Sequence, residues 1–187
     1  MSTVNRQVCW TPWAGPGLEH LRLTEDAAGV LADGLVIGVA EGGPFRARYR
    51  VRCDAAWRVR EVTVDPLDGR APLQLRADGA GAWTDGAGAA LPDLAGCIDI
   101  DLAFSPFTNT LPIRRLTFAV GEARVLTMAY IRAPELTTGP LQQRYTRLAA
   151  DRYRYENVDD DFTAELPLDA AGLVLDYPGL FRRAWPD

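Results

Sequence analysis

The clearest pattern along the chain lies at residues 45–53. Phe45, Ala47, Tyr49, Val51 and Cys53 alternate with Arg46, Arg48, Arg50 and Arg52, which is the period-two signature of a strand with one apolar and one cationic face. Shorter runs of the same kind fall at 17–23, 30–39, 57–64 and 73–77, separated by turn clusters such as Glu25 to Gly29 and Glu41 to Pro44. Gly34 reads as a possible bulge within the run at 30–39. The start of the chain, around Trp10-Thr-Pro-Trp13 and Gly15-Pro-Gly17, reads as turn-rich, and the small-residue segment 85–92 reads as a loop. In the C-terminal half, hairpins are expected between 116–120 and 124–132, between 141–148 and 152–157, and between 162–168 and 173–177. The one helical candidate is 109–116. The expected architecture is therefore mainly β: a single curled antiparallel sheet in meander order, with at most one or two short helices and one domain over residues 1–187.

At 53–57 a three-residue turn would set Cys53 opposite Trp57 and Arg52 opposite Arg58. Facing arginines repel unless carboxylates or a bound anion lie between them, so the cationic face predicts acidic neighbours.

The stretch 97–116, CIDIDLAFSPFTNTLPIRRL, breaks the pattern. Ile98, Ile100 and Leu102 alternate with Cys97, Asp99 and Asp101; a Ser-Pro break, a Thr-Asn-Thr turn and the Arg114-Arg115 pair follow. Two carboxylates and two guanidiniums this close to a core must satisfy one another or a ligand. Asp99, Asp101 and Arg114 are read as a structural charge network. Arg115 is read as a candidate for a ligand head group, since a guanidinium matches anions bidentately. Asn109 is both a candidate helix cap and a candidate ligand group.

That stretch resembles the signature of a bacterial family, the putative glycolipid-binding proteins. GLEHLRL from Gly17, YRVRCDAAWRVR from Tyr49, QQRYTRL from Gln142, YRYE from Tyr153 and DAAGLVLDYPGLFRR from Asp169 match it in order. The resemblance implies a half-barrel similar to that of bacterial lipoprotein carriers, a curved sheet around an apolar cavity. It also implies non-covalent binding of a lipid or glycolipid. On that reading the ligand-binding residues are Trp57, Asn109, Arg115, Tyr155 and Tyr177, while Tyr49, Val51, Val59, Ile98 and Ile100 join Trp57 in the core and cavity wall.

Composition excludes several chemistries. All 20 basic residues are arginine, so neither a Schiff-base nor a P-loop lysine exists. The net charge of −5 disfavours a nucleic-acid partner. His20 is the sole histidine and Ser2 and Ser105 are the only serines, which leaves no multi-histidine zinc site and no nucleophile elbow. No metal or cofactor is expected. The rival function is an enzyme on a small hydrophobic or sugar substrate with Asp99, Asp101 or His20 as acid or base. Cys9, Cys53 and Cys97 are odd in number and lack CxxC spacing. With no signal peptide and no apolar run long enough for a membrane span, they read as reduced thiols of a cytoplasmic protein.

Overall fold

The computed structural model describes residues 3–40 and 42–186. The described residues are mainly β, with one short α-helix, and form two sheets rather than the expected one. The first contains β1 (Val4–Pro12), β2 (Leu18–Asp26), β3 (Gly29–Ala40), β4 (Gly43–Cys53), β5 (Val59–Asp65), β6 (Leu73–Ala77) and β7 (Trp83–Asp85) as a meander. The C-terminal β13 (Asp176–Tyr177) and β14 (Phe181–Trp185) extend it beyond β1. The second, a half-barrel, runs β12 (Thr163–Pro167), β11 (Arg152–Asn157), β10 (Thr138–Ala149), β9 (Ala123–Ile131), β8 (Asp99–Leu102).

β1 replaces the turn-rich start. Only Val8 and Trp10 of this strand are buried, so its alternation is thin, and Pro12 reads as a break although it only ends the strand. Trp10 is fully buried because β14 returns to the free edge of β1. Its indole N–H donates to the carbonyl of Val174 at 2.8 Å.

Alternation along β4 holds as expected: Ala47, Tyr49, Val51 and Cys53 are buried, and the four arginines point outward. The register with β5 differs. Cys53 pairs with Val59, and Arg52 faces Glu61 rather than Arg58. Asp54 causes the shift. Its Oδ1 accepts from the amides of Ala56 and Arg58, and Trp57 takes a left-handed φ of 62°, so the turn is longer than three residues. Carboxylates lie among the arginines as the repulsion argument requires. Arg48 pairs with Asp33 at 2.7 Å and Arg52 with Glu61 at 3.5 Å. The same aspartate device recurs at Asp78, Asp85 and Asp169, each accepting from the amides two and four residues on. Gly34 forms no bulge, since the ladders on both sides run through it unbroken.

The expected hairpin between 116–120 and 124–132 is absent. β9 instead lies between β10 and β8, and its pairing with β8 is parallel. A parallel neighbour needs a crossover. Residues 103–122 supply it, with a 3-10 turn (Pro106–Asn109) and α1 (Thr110–Arg115). The β8 strand is buried on both faces, which explains why its acids lie among apolar residues. The crossover also packs against the first sheet. Phe104, Phe107 and Leu111 share one core with Tyr49, Val51, Trp57, Val59 and Ile100, and Phe107 stacks on Tyr49. A second core of tyrosines and aliphatics lines the half-barrel.

Candidate functional site

The crossover packs into the core, and two adjoining open spaces lie at its margin. A cleft of about 280 Å³ is lined by Trp10, Glu19, Val36, Gly38, Phe45 and Phe104 together with the loop residues Gly179 and Leu180. A second pocket of about 240 Å³ is lined by Asp101, Ser105, Asn109, Tyr130, Tyr155 and Tyr177, with Asn157, Asp160 and Phe162 among its other walls. Ala103, Leu180 and Phe181 contribute to both, so the two spaces adjoin. One is largely apolar; the other carries hydroxyls, two amides and carboxylates but no arginine.

The polar pocket is built by the Thr-Asn-Thr turn facing the half-barrel. Ser105 caps the turn by accepting from the amide of Phe107, so capping falls to Ser105 and not to the Asn109 side chain. Asn109 is free to face the sheet. Its Nδ2 donates to the carbonyl of Pro106, and the Tyr145 hydroxyl lies 2.9 Å from its Oδ1. Asp101 accepts from Thr108 at 2.9 Å and from the Gln143 amide at 2.6 Å. Burial pushes its carboxyl above the usual range, and these two bonds pull it partly back. Tyr155 lies at the centre of an edge-to-face cluster with Tyr145, Phe162 and Tyr177. Burial raises the phenols of Tyr155 and Tyr177 well above their ordinary value, so neither titrates in the physiological range.

In the cleft, Glu19 stands out as a carboxyl only 2% exposed. Its Oε1 accepts from Tyr49 at 2.5 Å and Ser105 at 2.6 Å, and its Oε2 has no partner. Burial pushes its pKa up to about 7, against the two hydroxyls, which lower it. Gly34 makes this possible. It lies opposite Tyr49 in the ladder, and a Cβ there would overlap the tyrosine ring.

The other expected residues lie elsewhere. Asp99, 1% exposed, is held by Arg115 through three hydrogen bonds of 2.6–3.2 Å. Burial raises its carboxyl, and the guanidinium opposes that without cancelling it. Arg115 is thus spent on Asp99 and lines neither space. Asp101 has hydroxyl and amide partners instead of an arginine. Arg114 reaches Glu25 at 3.3 Å across the surface and lies over the ring of buried Trp57, 4.8 Å from its centroid. Trp57 lines neither space. His20 bonds Gln7 on the outer face of the first sheet. Of the five expected ligand residues, Asn109, Tyr155 and Tyr177 converge; Trp57 and Arg115 do not. Glu19 and Ser105 carry no local signal of a site, being one glutamate at a strand start and one serine before a proline. Only the fold brings them together, 86 residues apart.

Among the described residues no group of three or more His, Cys, Asp and Glu side chains could hold a metal ion. No helix among them is long and apolar enough to cross a membrane.

Fold and site together define a mainly β protein whose half-barrel meets a larger sheet at an apolar cleft beside a tyrosine-rich polar pocket. The chain belongs to the putative glycolipid-binding family, whose profile matches residues 7–183. It is similar to a solved structure, a DUF1089 family protein from Pseudomonas aeruginosa, at 46% identity and a TM-score of 0.83, over 91% of this chain and 95% of that one. No curated protein matches the chain.

Proposed function

We propose that the protein binds an amphiphile non-covalently, with the apolar part in the cleft and an uncharged, hydroxyl-rich head in the tyrosine pocket. The observation that carries this reading is the junction itself. Phe104, Val36 and Leu180 offer apolar surface on one side. On the other, flat tyrosine rings stand beside Asp101, Asn109 and Asp160. Rings beside fixed hydrogen-bonding groups suit a sugar. The absence of arginine from the pocket lining argues against a phosphate or sulfate head, which would want a guanidinium clamp. The family description points to the same class of ligand.

An acid–base role for Asp99, Asp101 or His20 is less favoured. The first is clamped by a guanidinium, the second is held by Thr108 and Gln143, and the third lies on the outer face.

Titration with a nonionic alkyl glucoside below its micelle concentration tests the proposal. Trp10 lines the cleft, so tryptophan fluorescence should change saturably at a stoichiometry of one. Leu180→Arg, at a position 40% exposed that folding should tolerate, should abolish the change by placing a charge in the shared wall. A non-saturating response, or an equal one in the variant, would refute it.

A further inference from the structure

Resting on the amphiphile reading, we infer that Glu19 is a hydrogen-bond donor to the ligand, recognising an acyl carbonyl, of an ester or amide, where apolar chain and polar head meet.

Three observations place it there. Glu19 lines the cleft, while Ser105, its partner at 2.6 Å, lines the tyrosine pocket, so the carboxyl stands at the level of the junction. Oε1 is saturated by two hydroxyl donors. Oε2 is buried with no partner among the described residues. A carboxyl whose first oxygen accepts two bonds carries its proton on the second, and a buried O–H with no acceptor is costly. An occupant of the cleft that supplies a strong acceptor removes that cost. A carbonyl oxygen does this well, and in an acyl-linked amphiphile it lies between chain and head. An alkyl ether or glycosidic oxygen is a poorer acceptor.

The surroundings keep the acid neutral. Across the ladders it faces Trp10 on β1 and Val36 on β3. Tyr49 of β4 and Ser105 of the crossover are its bonded neighbours, and the Cys9 thiol of β1 is raised partly by its charge. Among the described residues no arginine pairs with it. Burial holds the Tyr49 phenol well above its ordinary value and the Cys9 thiol above its own, so neither ionises where Glu19 does. Asp101, in the adjoining pocket, and Asp99, clamped by Arg115, are also carboxyls that burial raises.

The test compares two nonionic probes of equal chain length, N-decanoyl-N-methylglucamine, which has an amide carbonyl at the junction, and decyl glucoside, which has none. Dissociation constants are measured by calorimetry at about pH 5.5 and about pH 8.5, on either side of the value of about 7 to which burial raises this acid. In the wild type the preference for the glucamide should be about tenfold greater at the lower pH, the worth of one buried hydrogen bond. At the higher pH an ionised Oε2 would face the carbonyl oxygen and the preference should vanish. Glu19→Gln keeps a donor at every pH, so its preference should persist unchanged across the range. That comparison also separates Glu19 from Asp101. An equal preference at both pH values in the wild type, with both probes binding, overturns the assignment and leaves the cleft reading standing. A pH response that survives in Glu19→Gln overturns it too. Failure of both probes to bind overturns the cleft reading and the assignment with it.

Discussion

At the scale of single residues, burial decides which charges matter. Asp99 and Arg115 are buried together and share three hydrogen bonds, whereas Arg114 and Glu25 are about one-third exposed. Arg115→Ala would leave the Asp99 carboxylate uncompensated and should cost about 3–5 kcal/mol in urea unfolding. Arg114→Ala should cost about 1 kcal/mol or less, from a screened pair and a cation–π contact. A double-mutant cycle of Asp99 and Arg115 should show strong coupling; additive losses would contradict the pairing. The residues 97–116 announced that acids and guanidiniums must satisfy one another, but not which. Adjacent helical residues point about 100° apart, so only one of the two arginines could reach the strand, and Asp101 found Thr108 and Gln143 instead.

Glu19 gives a second prediction at this scale. Its value of about 7 in the fold, against the ordinary 4.5, means that the folded chain holds the proton more tightly than the unfolded chain. Stability from this group is therefore full below pH about 4.5 and declines as pH rises to about 7. The loss corresponds to about 3 kcal/mol. Measured across that window, wild-type stability should fall relative to Glu19→Gln, which does not titrate. Parallel curves would show that Glu19 is not the buried acid described.

Among the elements, the turns are the most uniform feature. Asp54, Asp78, Asp85 and Asp169 each tie two backbone amides, so Asp78→Ala should lower the melting temperature by a modest amount in thermal unfolding. Asp169→Ala should cost more. Asp169 also pairs with Arg183, whose side chain is 6% exposed and stacks over Trp10, and that cation would be left with only the Val174 carbonyl. Equal losses at the two sites would contradict this difference. Strands with dense alternation, above all β4, were legible in the sequence because one face is buried and the other solvated. β1 was not, because only Val8 and Trp10 turn inward. Nor was the parallel pairing of β8 with β9, which depends on where the crossover packs and not on any local pattern.

At the scale of the whole molecule, the expected curled sheet around an open cavity becomes two sheets around a filled centre. The reason is the crossover, whose Phe104, Phe107 and Leu111 join the core of the first sheet. What stays open is the margin, and there Asn109, Tyr155 and Tyr177 meet a carboxyl and a serine from distant parts of the chain. Burial across this interior also governs the thiols. Cys9, Cys53 and Cys97 are unpaired, and burial pushes Cys53 up to about 12. Thiol counting on the denatured, unreduced protein should give three, and Cys9, the least enclosed, should react first in the native state.

A crystal structure with a nonionic alkyl glycoside tests binding at the junction of cleft and tyrosine pocket most directly. The alkyl chain should lie against Phe104 and Leu180, with the sugar beside Tyr155 and Tyr177 and within reach of Asn109. A glycoside found instead among Arg46, Pro66 and Arg70 in the neighbouring surface pocket, with the junction empty, would contradict it.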